Sequence, residues 1–301
     1  MKTISYKEQT LSKLSFGTVQ LGLDYGVSNT QGKPTQDIAD NILNYLVHEG
    51  INCFDTAVAY GNSEEVLGSA LKDNKDVNIV SKVKTNLFLE NLEKSVLESL
   101  ARLNVDKLFA LLLHDSDLLF KWNNSFGKQI NSLKKRKLIN CFGVSIYTSE
   151  EFDMAIDNPS IEVIQIPFNL FDQRAINHQW FERAKKAKKL IFIRSVFLQG
   201  LFFLKEQQLS GNIREALPFI QEVHDLRKEL KLSIAEFALS YVDSTSPESI
   251  ILFGCDTLEQ AHENINSYND LPKLDENMLK KINTLFSKVP EYITNPSRWR
   301  I

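Results

Sequence analysis

Cysteine is scarce in this chain. Its three residues, Cys53, Cys141 and Cys255, stand far apart, each within or just after an apolar run. That spacing suits no metal site, and it predicts buried free thiols in a reducing compartment. Long hydrophobic runs are missing too: no stretch approaches the roughly 20 apolar residues that cross a bilayer, and MKTISYKEQT lacks the apolar core of a secretory signal. A cytoplasmic protein is expected. Charge of one sign is not in excess, since Lys+Arg 35 against Asp+Glu 38 leaves a formal net charge of -3 with no long run of either sign. Nothing recommends a nucleic-acid or membrane-surface partner, and a small neutral or anionic ligand stays open. The glycine-rich turn GxGxxG is absent as well, which argues against a doubly wound dinucleotide fold.

What the sequence does have is a regular alternation. LSFGTVQLG (14–22), INCFDT (51–56), VNIVSKV (77–83), KLFALLLH (107–114), INCFGVS (139–145), EVIQIPF (162–168), LIFIRSV (190–196) and SIILFG (249–254) are brief and apolar on both faces, the pattern of buried parallel strands. Amphipathic segments with helix-start signals lie between them, among them PTQDIADNILNYLVHEG, SEEVLGSAL, LENLEKSVLESLARL, SIAEFALSYV and TLEQAHENI. Eight such units without a Pro/Gly/Ser linker predict one (β/α)₈ barrel over residues 1–301, ahead of two open sheets. Two further helical patterns, near 214–230 and 275–288, are read as additions after the seventh strand and at the C-terminus.

In such a barrel the site forms at the C-terminal strand ends. Asp55 falls at the end of the second strand, Lys82 at the end of the third and His114 at the end of the fourth, with Tyr60 in the loop after Asp55. Each has an ordinary structural reading: a turn cap, a solvated strand end, a bonded histidine, a packed ring. Together they make a proton-transfer constellation. A tyrosine near pKa 10 is a reluctant donor at neutral pH, and an ammonium about 4 Å away stabilises its phenolate by roughly 4 kcal/mol at an effective dielectric near 20. Asp55 would hold Lys82 charged, His114 would donate to a substrate carbonyl, and Tyr60 would protonate its oxygen as hydride arrives from a cofactor.

These residues resemble the aldo-keto reductase family over nearly the whole chain. FDTAVAYGNSEEVLG (54–68) is similar to its Asp-and-Tyr signature, and IVSKV and LLLHDSD to its lysine and histidine strands. The resemblance implies Asp55, Tyr60, Lys82 and His114 as a catalytic tetrad and an extended nicotinamide cofactor. It places Gly17, Thr18 and Gln20 near the nicotinamide end, Ser145 and Gln165 at the carboxamide, and Ser195, Gln199 and Gly200 around the pyrophosphate. Phe253, Gly254, Thr257, Gln260, Glu263 and Asn264, within FGCDTLEQAHENI, fall on the adenosine segment. Two departures stand out. Ile146 replaces the asparagine that usually follows the serine, and Arg194 replaces the ring that commonly stacks on the nicotinamide, so its guanidinium is read as stacking, reaching a phosphate, or solvated.

Gly254, Asp256 and Gln260 stand where a Lys or Arg often grips a 2′-phosphate. NADP(H) is still favoured, with NAD(H) possible, because amides at the start of TLEQAHENI can accept the phosphate. The expected activity is reduction of an aldehyde or ketone, a keto-sugar included, with Tyr25, Trp122 and Phe168 as pocket linings. A cofactor-sensing regulatory module and a lyase or isomerase using Lys82 covalently are the alternatives, and oligomeric state is left open.

Overall fold

The computed structural model describes residues 1–29, 31–74 and 76–300. An antiparallel hairpin, β1 (Thr3–Tyr6) and β2 (Gln9–Ser12), comes first. Then β3 (Leu14–Gly17), β4 (Cys53–Asp55), β5 (Asn78–Val83), β6 (Leu108–Leu113), β7 (Ile139–Ser145), β8 (Val163–Pro167), β9 (Leu190–Arg194) and β10 (Ile250–Phe253) pair in parallel, each with the next. β10 pairs back to β3, which closes the barrel. The fold is the expected (β/α)₈ barrel, and its strands are the eight apolar runs. One run is trimmed: in LSFGTVQLG the strand stops at Gly17, because the Thr18 N–H turns to the Asp55 carbonyl at 2.9 Å and Val19–Gly22 coils into one helical turn.

Period-two alternation sorts the strand residues into two apolar layers. Cys53, Val80, Ala110, Leu112, Cys141, Val163, Phe192, Ile250 and Leu252 form a cluster of their own that fills the barrel. Phe54, Ile79, Leu111, Leu113, Phe142, Val144, Ile164, Ile166, Ile191, Ile193 and Ile251 face outward and pack with the helices. Burying each such side chain is worth about 1.5–3 kcal/mol, so both layers hold the strand register firmly. Gly143 is a fixed point of the inner layer, since a Cβ there would stand 2.1 Å from the Val163 carbonyl oxygen.

The surrounding helices begin where the sequence carries caps. Thr35 caps Gln36–His48 and Thr257 caps Leu258–Asn269. Ser233 and Glu236 make a capping box at Ile234–Thr245, an arrangement worth on the order of 1 kcal/mol. The two added helices are Leu217–Glu229, after β9, and Glu276–Phe286. No helix among the described residues is long and apolar enough to cross a membrane.

The hairpin was not expected from the sequence. It closes the lower end of the barrel, where Leu11 joins the interior cluster. The Tyr6 hydroxyl donates to the Glu162 carbonyl at 3.0 Å, and the Ser12 N–H donates to Asn52 Oδ1 at 2.7 Å.

Candidate active site

The alternation that fills the barrel also builds its mouth. Two residues beyond an inward position on each strand comes another: Gly17 after Ser15, Asp55 after Cys53, Lys82 after Val80, His114 after Leu112, Ser145 after Gly143, Gln165 after Val163, Arg194 after Phe192 and Gly254 after Leu252. All eight are residues the sequence analysis singles out. Six carry side chains. The other two, Gly17 and Gly254, belong to neighbouring strands, and the Gln20 side chain lies over Gly254.

Lys82 is 1% exposed and its ammonium makes three contacts. It is ion-paired with Asp55 Oδ1, donates to the Thr56 carbonyl at 3.0 Å and stands 3.3 Å from the Tyr60 hydroxyl. Burial alone would drive this ammonium toward neutrality, but the Asp55 carboxylate and the contacts to Asp55 and Tyr60 outweigh it and lift its pKa above the ordinary lysine value. Asp55 is held on both oxygens, because Oδ2 accepts from Gln165 Nε2 at 2.8 Å. The buried pair is therefore fully satisfied, which an isolated buried charge could not be.

His114 lies edge-to-face against Tyr60, with ring centroids 5.7 Å apart. Burial, then the charges of Lys82, Lys84 and Arg194, push its pKa down to about 4, with Asp115 opposing. The imidazole is thus neutral over the physiological range, and its Nδ1 is buried without a partner. A phenol, a charged ammonium and a neutral imidazole converge on one space, able to meet a carbonyl oxygen with a proton and two favourable dipoles.

The Tyr60 loop is clamped from beside it. Gly61 has φ +58, and a Cβ there would come within 2.4 Å of the Gly22 carbonyl oxygen; a Cβ at Gly22 would come within 1.7 Å of the Tyr60 carbonyl oxygen. Neither position admits a side chain without moving Tyr60. Beneath, Thr18 Oγ1 lies 2.6 Å from Ser63 Oγ and 3.1 Å from the Asp55 carbonyl oxygen. The Thr18 hydroxyl is thus engaged inside the protein.

The other residues expected to hold the cofactor lie at the ends of β7, β8, β9 and β10 and in the turn after β3. Gln20 rests on Gly254, where a Cβ would stand 2.1 Å from its Nε2, and Gln20 Oε1 is buried with no partner. Ser195 (φ +62), Leu198 (φ +47), Gln199 (φ +53) and Gly200 (φ +90) hold left-handed backbone in a short span, a strained turn of the kind found where a chain wraps a ligand. Ser145 and Gln165 are buried at the mouth, 6% and 1% exposed.

Along the adenosine segment, Thr257 Oγ1 caps the helix by accepting from the Gln260 N–H at 3.2 Å. Gln260 Oε1 accepts from the Asp256 N–H at 2.8 Å, and Asn264 Nδ2 donates to the Gln260 carbonyl at 2.8 Å. Glu263 is exposed. The Phe253 ring is buried in the core, 5.6 Å from that of Phe16. Gln20 Oε1 and Asp256 Oδ1, both buried and unpartnered, lie beside Gly254 and the helix start. That unused polar capacity fits a polar cofactor.

Among the expected pocket linings, Tyr25 faces Tyr60, and burial raises its pKa to about 12. Trp122 packs edge-on against Phe126, 5.8 Å away, and Phe168 is fully buried against Phe181 and Tyr241, so Phe168 is core and not lining. Two residues escaped the sequence reading. Asn169 donates from Nδ2 to the Ser195 carbonyl at 3.0 Å and accepts from the Phe171 and Asp172 N–H groups at 2.9 and 3.0 Å, thereby holding the strained turn. Tyr147 lies under the Arg194 guanidinium at 4.1 Å. A buried Asn just past a strand was the available signal for the first; nothing local announced the second.

The model of the Aldo/keto reductase family matches residues 13–286. The NADH-specific methylglyoxal reductase of Escherichia coli (strain K12) is 22% identical over 313 residues, covering 91% of this chain and 95% of that protein. Among solved structures, the holo form of an aldo-keto reductase from Bacillus halodurans superposes with a TM-score of 0.79 at 19% identity, covering 98% of this chain and 100% of that one. An aldo-keto reductase of Klebsiella pneumoniae in complex with NADPH gives 0.73 at 18% identity, covering 100% and 99%.

Proposed function

We propose, from the premise that this chain belongs to the aldo/keto reductase family, that it reduces an aldehyde or ketone to the alcohol with Tyr60 as the proton donor. Membership makes the protein an NAD(P)H-dependent oxidoreductase. The observation that carries the finer reading is the three-way contact of Lys82 with Asp55 and Tyr60.

Tyr60 gives its proton to the carbonyl oxygen. Lys82 stands beside that phenol and stabilises the charge that forms on it, while Asp55 keeps Lys82 charged and oriented. His114, neutral because its pKa is near 4, donates a hydrogen bond to the same oxygen and brings no competing charge. The dinucleotide, when bound, supplies the hydride. Gln20, Ser145, Gln165, the Ser195–Gly200 turn and the segment from Gly254 to Asn264 are the residues that would hold it.

For the cofactor we keep NADP(H) with weak discrimination, NAD(H) being accepted as well. Backbone amides at the start of Leu258–Asn269 suit a phosphate, and the half-buried Asp256 carboxyl opposes it. The place of action is proposed to be the cytoplasm. The test is a fluorescence titration with NADPH and NADH, then a panel of aldehydes, ketones and keto-sugars under the better binder. Dinucleotide binding with no carbonyl consumed would leave a sensing role; a borohydride-trapped Lys82 adduct formed without dinucleotide would replace the reading with a lyase.

A further inference from the structure

Arg194 is the one residue of the mouth whose charge the proposed chemistry does not use. It ends β9, on the opposite side of the barrel from Lys82 in the strand order. Its guanidinium does not stay over β9. Nη2 donates to the Ile146 carbonyl at 3.1 Å, the plane lies 4.1 Å over the Tyr147 ring, and Nη1 reaches Ser195 Oγ at 3.3 Å. Ile146 and Tyr147 follow β7, the neighbour of the strand that carries His114. A cation rooted on β9 therefore arches over β8 to the His114 side of the mouth. Its charge is felt there, lowering the pKa of His114 and opposing the rise at Tyr25.

This guanidinium is half-buried and has no carboxylate partner among the described residues. Arg102, Arg136, Arg174, Arg183 and Arg298 pair with acids, whereas Arg214 and Arg227, like Arg194, do not; of these three only Arg194 stands at the barrel mouth. Two of its five N–H donors are engaged, and the fork is held rigid by the Tyr147 ring. Sequestering a cation from water without a counter-charge is unfavourable, unless an anion arrives to complete the site. The reacting carbonyl belongs between Tyr60 and His114, so that anion sits on the same molecule as the carbonyl.

We infer that Arg194 is the anion-binding residue of the substrate pocket, and that the preferred substrates are carbonyl compounds bearing a carboxylate or phosphate, gripped by the free edge of the fork. This deepens the carbonyl-reductase reading and rests on it. Tyr147, 41% exposed beside the fork, offers a ring edge to an apolar body between carbonyl and anion.

The test uses pairs equal in shape and different in charge: 4-carboxybenzaldehyde against 4-formylbenzamide, and 4-oxobutanoate against 4-oxobutanamide. The acids should exceed the amides in kcat/KM by about 10- to 100-fold, the range of a charge-assisted pair. Arg194→Gln should abolish that preference through the KM of the acids, bringing the acid-to-amide ratio of kcat/KM within the variant to about one; Arg194→Lys should keep part of it, having the charge without the fork. Equal kcat/KM for acid and amide in the wild type would overturn the inference. So would an Arg194→Gln variant that binds dinucleotide more weakly while the acid-to-amide ratio stays as it was, since the guanidinium would then serve the cofactor. Calorimetry with 4-(hydroxymethyl)benzoate and its amide separates the two readings. Acid binding that depends on Arg194, without turnover of any carbonyl, would remove the reductase reading and keep the anion site. Turnover without any acid preference would do the reverse, and neither binding nor turnover would remove both.

Discussion

The Lys82 ammonium stands 3.3 Å from the Tyr60 hydroxyl while its ion pair with Asp55 holds it from the other side. One charge thus serves two ends: it makes the phenol's conjugate base tolerable, and it makes a carboxylate buried to 3% exposure tolerable. Function and stability are tied to the same atom.

Tyr60→Phe keeps the ring that packs on His114 and removes the proton. Carbonyl reduction should fall by about 10²–10⁴-fold, with dinucleotide affinity changed less than about twofold. Single-turnover kinetics beside a fluorescence titration measures both. Near wild-type turnover with chemistry rate-limiting would remove Tyr60 from the role of acid.

Lys82→Met leaves Asp55 buried without its counter-charge. The variant should be inactive and less stable by about 3–5 kcal/mol, the cost of breaking a buried pair from one side. Adding Asp55→Asn should restore part of the stability and none of the activity. Urea unfolding midpoints read this; a double variant no more stable than Lys82→Met would show that the pair is not what holds the strand ends together.

The low pKa of His114 makes an acid-stability prediction. The folded ring resists protonation down to about pH 4, against an ordinary value of 6.5, so between these limits the unfolded chain binds the extra proton and stability falls as pH falls. Above 6.5 the effect is absent. Thermal midpoints of His114→Asn should therefore decline less between pH 6.5 and 4 than those of the wild type. A residual slope is expected from His224, whose pKa is lowered in the same way by burial. Identical slopes would mean that His114 titrates normally in the fold.

Burial raises the pKa of Asp256 to about 6. Below that value its carboxyl is neutral and tolerates a 2′-phosphate; above it the charge repels one. The ratio of NADPH to NADH affinity should decrease as pH rises from about 5 to 7, and Asp256→Asn should flatten that dependence and raise NADPH affinity by up to about tenfold. Titrations of both cofactors at several pH values decide it, and an unchanged slope in the variant would clear Asp256 of any part in the choice.

The barrel was legible because its strands are short runs such as FALLL and VIQIP, apolar on both faces, and because period two then carries the polar residue at each strand end inward. Asp55, Lys82 and His114 could be placed from parity alone. The hairpin was not legible: TISY and QTLS are polar and half-exposed, and only Leu11 reveals, in three dimensions, that the pair closes the barrel. The packing of Thr18 and Phe253 was not legible, because position in a motif says nothing of what a hydroxyl or ring meets from distant segments; Ser63 and Phe16 are those partners. The stacking of Arg194 on Tyr147 joins residues from two different loops, which no local pattern reports.

Each position of the mouth lies two residues above a core position on its own strand, so the eight behave like exchangeable teeth set in a fixed jaw. Outside the Asp55–Lys82–Gln165 network, a tooth can be swapped while the packed layer below keeps its volume and register. A departure such as Arg194 then costs the barrel little, and new ligand preferences in such a scaffold should accumulate one strand end at a time at the positions that network leaves free.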